Sequence, residues 1–550
     1  MKMEMLSKWP AMKVNYLIVL LAITLFPSSP VRGEQPTNNE PTFIRSVNLV
    51  DVMGGRVTPE MDVLVADGRI QQIGHKLPRP KGARVVDGTK RFLVPGLWDM
   101  HVHTAGLSAN PEWSRDTLLP LLVANGVTGI RDMGGSLAAL QTWKRQISQG
   151  ELVGPQIVRA GPMLDGDSDD PSVIAVKTPD QARHTVDQLA AQHVDFIKVL
   201  SGLDRDSYFA AVAESKAQHL PIVGHVPTVV GTAEASQAGQ KSIEHILYGG
   251  IAIACSSHEE ELRGEMAKAM QSGSIRQVAK VEDAADQSFS EEKAQKLWAT
   301  FRQNKTWVVP TLVSTFVSSH LDELSASDPD AEYLPKSVRD EWTPEKLKGA
   351  MQPDKLAWWK REMSEQTELV RRMHQAGVAI LAGTDSLDTH NVPGFALAKE
   401  LELLVHAGFT PMEALQSATI RPAEFLGLSD VGNIVVGNAA DLLLLDADPT
   451  AGIENIKKIQ SVFVKGRYFS RSDLDHMLDA IRVRNCGAGC SATLVPAARC
   501  QLARNRHITH QPRVKIVFPV LTCTIARGPS HAARAFAEDR HAVTSRRTCS

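Results

Sequence analysis

The sequence has no apolar run long enough to cross a bilayer: the longest, YLIVLLAITLF over residues 16–26, stops at a Pro-Ser-Ser-Pro turn. A spanning helix needs about 20 such residues, so this stretch fits the core of a secretory signal better than a stable membrane span. Lys8 and Lys13 precede it, and Val31 and Gly33 suit a cleavage site after Gly33. Residues 1–33 are therefore expected to be a leader, and the mature chain to be exported to the periplasm or the extracellular space. Cysteine is scarce as well. Of the six, only Cys255 precedes residue 486, and the spacings offer no paired C-x-x-C metal pattern. Acidic residues thin out at the far end, where residues 481–550 hold eleven Arg and one Lys against Glu538 and Asp539. That stretch lacks apolar periodicity, and 483–550 is read as a disordered basic tail without a function. With a formal net charge of -2 for the whole chain, everything before the tail is net acidic, which excludes a general attraction to nucleic acid.

What is present is an ordinary globular composition, 43% hydrophobic and 22% charged over 550 residues, enough for one large domain and a smaller one. Short β-rich runs alternate with helical patterns. Residues 92–103, 126–134, 156–163, 196–201, 221–226, 242–247, 307–312 and 378–385 make eight strands, mostly continuously apolar, as parallel strands covered on both faces are. Amphipathic segments lie between them, one opening with Thr178 as cap and Pro179 at the first helical position. Eight βα units predict an α/β fold, a (β/α)8 TIM-like barrel over 92–428 with its site at the C-terminal strand ends. Alternating strands at 42–91, with Asp67-Gly68 as a hairpin turn, and at 429–470 bracket it. These two segments are expected to meet as one small β-sandwich. The segment between barrel and second β part begins with a capping box from Thr410 to Glu413.

The polar residues at the strand ends carry the chemistry. WDMHVHT ends the first strand, and because alternate residues share a face, His101 and His103 project together. The fourth strand carries Lys198 in DFIKVLS, the fifth ends at His225 in GHV, the sixth at His245 in IEHI, and the eighth at Asp385 in AGTDS. Singly, each has a bland reading. Jointly, six such placements on one barrel face point to a metal site.

This set, with VPGLWDMHVHT, GIRDMGG and GNAADLLLLD and the bracketing β domain, resembles the metal-dependent amidohydrolase superfamily over residues 42–470. It is most similar to the prolidase-like branch, which includes Xaa-Pro dipeptidases and ochratoxin-hydrolysing amidases. The resemblance implies a binuclear centre, with His101, His103 and Asp385 on one divalent ion, His225 and His245 on the other, and Lys198 as a bridging N-carboxylated lysine formed with carbon dioxide. An ordinary ammonium has no lone pair and could not serve. Imidazole and carboxylate ligands favour zinc. The implied reaction is attack of a hydroxide shared by the ions on an amide carbonyl, with Asp385 as general acid and base. The resemblance also disfavours deamination, since deaminating relatives lack the bridging lysine and follow the strand-5 His with a Glu, whereas GHVPT has no such acid after His225.

The expected substrate is a small amide such as a dipeptide or N-acyl amino acid. A lactone or other ester is the alternative on the same site, and a non-catalytic barrel serving as a binding protein the more distant one. Pro227 stands where dipeptidase-like relatives often carry a Tyr, which argues against simple dipeptide specificity. Tyr248, Arg131 and His390 lie just beyond strand ends and are candidate substrate contacts. The long connections 248–306 and 313–378 are expected to be helical, forming walls over the metals or a homo-oligomer interface. The acidic run at 165–170 lacks the further ligands of an EF-hand and reads as a solvated loop.

Overall fold

The computed structural model describes residues 40–106, 111–168 and 170–485. The expected leader lies outside the described residues. So does the tail from residue 486 onward, because a helix over Arg471–Asn485 runs past the expected tail start. Among the described residues no helix is long and apolar enough to cross a membrane.

The strands, in chain order, are β1 (Thr42–Asp51), β2 (Arg56–Ala66), β3 (Arg69–Gly74), β4 (Arg84–Asp87), β5 (Phe92–Pro95), β6 (Leu97–Val102), β7 (Val127–Asp132), β8 (Gln156–Arg159), β9 (Met163–Asp165), β10 (Val173–Ala175), β11 (Ile197–Val199), β12 (Ile222–Gly224), β13 (Ser242–Glu244), β14 (Trp307–Val309), β15 (Leu442–Leu445), β16 (Ile459–Val464) and β17 (Arg467–Ser470). The two bracketing segments do meet. They form one eight-stranded sheet in the order β17-β16-β15-β5-β1-β2-β3, with β4 on β1. The join is antiparallel, Leu443 opposite Val94. The sandwich is realised as this single sheet folded back on itself. Its β2–β3 turn, with Asp67 and Gly68 both at positive φ, receives the Ala440 N–H on Gly68 O, and Ala440 O in turn accepts from Gly466 in the β16–β17 turn.

The all-leucine strand β15 shows why the sheet sits where it does. Alternate side chains face opposite ways, so Leu442 and Leu444 join Ile44, Val63 and Phe463 in the sheet's own core. Leu443 and Leu445 join the large core beneath. Phe92–Pro95, expected within the first barrel strand, belongs to this sheet, and the barrel part begins at Leu97. The switch is at Gly96, where a Cβ would collide with the Thr128 side chain.

The remaining strands are short and parallel, and all but the edge strand β10 are largely buried, in a three-stranded ladder β6-β7-β8 and a six-stranded one β10-β9-β11-β12-β13-β14. The eighth expected strand makes no ladder of its own. Its residues bridge the two ladders singly: Val308 N–H donates to Ala379 O and Met100 N–H to Ala382 O, with parallel bridges at Ile380 and Ser386. The Thr384 N–H is shared between the Asp99 carboxylate at 3.0 Å and the His101 carbonyl of β6 at 3.2 Å. On the far side Asp195 N–H reaches Arg159 O. The expected caps are present, with Thr178 Oγ1 accepting from Gln181 N–H and the Thr410–Glu413 box complete. Both long connections are helical, including Ile275–Gln287 after β13 and Pro353–Gln375 after β14.

Candidate metal centre

The strand ends bring the six expected residues to one place. One donor atom each of His101, His103 and Asp385 lie within 4.8 Å of one another. Asp385 Oδ1 is 3.3 Å from His101 Nε2 and 3.4 Å from His103 Nε2, and its Oδ2 is 3.8 Å from His245 Nε2. The His245 ring lies 4.8 Å from His101 and 5.1 Å from His225. Lys198 enters from β11, 1% exposed, and its Nζ has no hydrogen-bond partner.

The far side of each imidazole settles what its near side offers. His101 Nδ1 is 3.1 Å from the Glu244 carboxylate, and His103 Nδ1 is 3.2 Å from the Gly134 carbonyl. Both partners only accept, so both Nδ1 atoms carry the proton. His245 Nδ1 lies 2.7 Å from Thr311 Oγ1. That hydroxyl already donates to Pro310 O, so it too accepts. His225 Nδ1 meets Ser201 Oγ at 3.0 Å. With Nδ1–H committed, Nε2 is the atom that His101, His103 and His245 each turn towards Asp385, and on the neutral His101 and His245 it is left as a lone pair, the tautomer a metal ligand needs.

Burial keeps His101 and His245 neutral. His101 is held well below the usual histidine range by desolvation and the Lys198 charge, and desolvation brings His245 down to about 4. His103 goes the other way, because its contact with Asp385 outweighs burial. Burial raises Asp385, but His245, His103 and Lys198 outweigh it and hold the carboxyl low. Burial brings the Lys198 amine down to about 8. A buried unpartnered amine, a buried His101 Nε2 without a hydrogen-bond partner and nitrogen and oxygen donors facing one space fit divalent metal ions.

Three further residues were named as substrate contacts, and two are corrected. Arg131 is fully buried. Its guanidinium lies 2.9 Å from both Glu244 oxygens and donates to Ser242 Oγ and Met100 O, so it supports the centre from beneath and cannot meet substrate. His390 is nearly buried, with Nδ1 on Asp328 and Nε2 on the Trp342 carbonyl, so both nitrogens are used within the fold. Tyr248 stays at the mouth, 40% exposed, stacked on His225 with centroids 4.8 Å apart and planes at 10°. Sequence reasoning missed Glu244, Thr311 and Ser201. It also missed Asp99, which accepts from the His101 and Thr384 amides and the Thr384 hydroxyl. Burial pushes Asp99 up to about 7. The acidic run at 165–170 starts at the last residue of β9, Asp165, whose side chain accepts the Gly166 and Gly202 N–H groups.

Residues 92–468 match the model of the amidohydrolase family. The chain belongs to the amidohydrolase family. Ochratoxinase of Aspergillus niger is 23% identical over 461 residues, covering 72% of this chain and 79% of that protein. A dihydroorotase of Anaeromyxobacter dehalogenans (strain 2CP-C) is 36% identical over 88 residues, 16% of this chain and a fifth (20%) of the relative's own length. Among solved structures, a Xaa-Pro dipeptidase with bound methionine in the active site aligns with a TM-score of 0.58 at 20% identity, over 78% of this chain and 100% of that one. A. niger ochratoxinase aligns at 0.55 and 19%, over 78% and 96%. These neighbours agree with the prolidase-like branch that the sequence resembles. This amidohydrolase is accordingly a hydrolase acting on carbon–nitrogen bonds.

Proposed function

We propose that this amidohydrolase cleaves the amide bond of a small molecule, a dipeptide or N-acyl amino acid, at a binuclear centre in a closed (β/α)8 barrel. His101, His103 and Asp385 would hold one ion, His225 and His245 the other, and a carboxylated Lys198 would bridge them. The observation that carries this reading is the set of committed Nδ1 atoms, which leaves Nε2 of His101, His103 and His245 as the nitrogens facing Asp385. When bound, the ions, zinc by the donor set, supply Lewis acidity to the scissile carbonyl and to water.

The chain's own groups do the rest. The buried Lys198 amine, lowered to about 8, has a neutral fraction near neutral pH whose lone pair adds to carbon dioxide. Loss of the N–H proton leaves a carbamate with two oxygens. Asp385, ionised at rest and reached by solvent, takes the proton of the attacking water and passes it to the departing nitrogen, which cannot leave as an amide anion. The Tyr248 hydroxyl, held above its ordinary value by desolvation of the part of its ring packed on His225 and by the Asp385 and Asp388 carboxylates, stays protonated and offers a donor to the substrate. A small pocket opens beside it, with Val226, Leu247, Ile253 and Met266 on its walls and the ion-paired Glu259 and Arg263 also lining it, which suits a substrate with an apolar side chain and a polar end. The test is metal content of the full chain purified with bicarbonate, followed by a screen of dipeptides, N-acyl amino acids and lactones. About two ions per chain and amide turnover are expected; one ion or none would overturn the bridged centre. Export rests on the leader at 1–33, and N-terminal sequencing of the secreted chain should begin at Glu34.

A further inference from the structure

The two long connections meet at a second cluster of acids. Glu282 and Asp286 stand one turn apart on the helix Ile275–Gln287, and Glu362 and Glu365 lie a turn apart on the helix Pro353–Gln375, so each pair shares a helix face. One oxygen each of Asp286, Glu362 and Glu365 lie within 4.8 Å of one another. Glu282 is 1% exposed and Glu362 3%, and Glu282 Oε1 and Glu362 Oε2 have no hydrogen-bond partner. Glu362 Oε1 accepts from Gln366 Nε2 at 2.8 Å, and Asp286 and Glu365 share a side-chain hydrogen bond. Among the described residues the cation that acts on Glu362 is Arg361, the weakest of its influences, and Arg361 is itself engaged by Asp283, at 3.0 and 3.3 Å. Burial and mutual repulsion push Asp286 up to about 9 and Glu362 to about 7. Carboxylates taken out of water together need protons or a cation.

We propose that Glu282, Asp286, Glu362 and Glu365 form a structural binding site for a hard divalent cation, calcium first, which ties the helix after β13 to the helix after β14. The unpartnered Glu282 oxygen is the observation beyond the three clustered acids. It lies one turn from Asp286 on the same face, and among its charged neighbours Glu362 acts on it most strongly. The spacing suits calcium, whose oxygen ligands at about 2.3–2.6 Å can stand roughly 5 Å apart across the ion. A set of carboxylates without His or Cys disfavours zinc. This site does not depend on the proposed amide hydrolysis.

The probe is terbium(III), added to the full chain after chelator treatment and excited through tryptophan. Trp358 lies one turn before Glu362 on the same helix and is buried, so it can sensitise an ion held there. A saturable emission, displaced by calcium, is expected in the native chain and in His101→Ala, and lost in the double variant Glu282→Gln/Glu362→Gln. Calcium should raise the melting temperature of the native chain but not of the double variant. Without calcium the double variant should melt higher than the native chain, because its amides do not repel. Emission that survives the double variant, disappears in His101→Ala or resists calcium overturns the proposal. If the double variant shows no cooperative melting, Asp286→Asn is read by the same criteria.

Discussion

Replacing Glu244 by Gln tests how the centre is held. Glu244 is fully buried, as is Arg131. Its carboxylate receives Arg131 Nη2 at 2.9 Å on each oxygen, Ser242 Oγ at 2.5 Å and His101 Nδ1 at 3.1 Å. Glu244→Gln leaves the guanidinium as an uncompensated buried cation, a loss of about 3–5 kcal/mol from a total stability of about 5–15 kcal/mol. The amide also changes the chemistry at His101. If its NH2 turns towards the ring, Nδ1 must accept, and the proton moves to Nε2, the atom facing Asp385. Metal affinity should then fall about 10–100-fold. Urea unfolding of the metal-stripped protein reads the first effect as a lower midpoint at unchanged m, and competition with a chromogenic chelator reads the second. Arg131→Met combined with Glu244→Gln removes both charges. It should recover most of the stability, since breaking a buried pair is what costs, while leaving the metal affinity low. Native midpoint and affinity in Glu244→Gln would refute the reasoning. Affinity restored in the double variant would refute the tautomer argument alone.

Lys198→Ala should abolish activity and the second equivalent of metal while far-UV circular dichroism stays native; a fully active variant would end the bridging role. Thr311→Val leaves the His245 Nδ1–H without its acceptor and should weaken metal binding about 10–100-fold, with unchanged chelator competition as the contrary result. Glu400 is buried, with Oε1 unpartnered and Oε2 accepting from Val313 N–H at 2.7 Å, and desolvation raises it to about 8. The folded chain therefore keeps this proton between pH 4.5 and 8 while the unfolded chain loses it, so its stability contribution is whole below pH 4.5 and falls as pH rises towards 8. Glu400→Gln should match the native chain at pH 4.5 and exceed it at pH 8 by on the order of 3–5 kcal/mol. Equal unfolding midpoints at both pH values would contradict the assignment.

Much of the site was legible because metal ligands break a strong pattern. Short apolar strands leave few reasons for a polar residue at the C-terminal end, so His101, Lys198, His225, His245 and Asp385 stand out by position alone. The same logic misplaced Arg131, since it treated a charge near a strand end as facing the mouth. A buried guanidinium needs a carboxylate, and Glu244 in the sixth expected strand, a charge in an apolar run beside His245, was available as that partner. Pairing the two would have sent Arg131 inward and revealed what orients His101. No such reasoning reaches His390, whose partner Asp328 is 62 residues away. Continuous hydrophobicity also concealed where Phe92–Pro95 leaves the barrel, because the change is marked by Pro95-Gly96 alone, a breaker pair set inside an apolar run.

The acids of the two connecting helices show the opposite limit. Spaced three or four residues apart, Glu282 and Asp286, or Glu362 and Glu365, read as solvated helix faces, which is what such spacing usually means. Only the packing of one helix on the other turns two hydrated faces into one buried cluster. Strand-end ligands are set by an alternation that is local and short-ranged. The acid cluster depends on a helix–helix contact between segments far apart in the chain, and no local period encodes it. A metal site built on strand ends can therefore be found by reading, while one built between insertions must be found by folding.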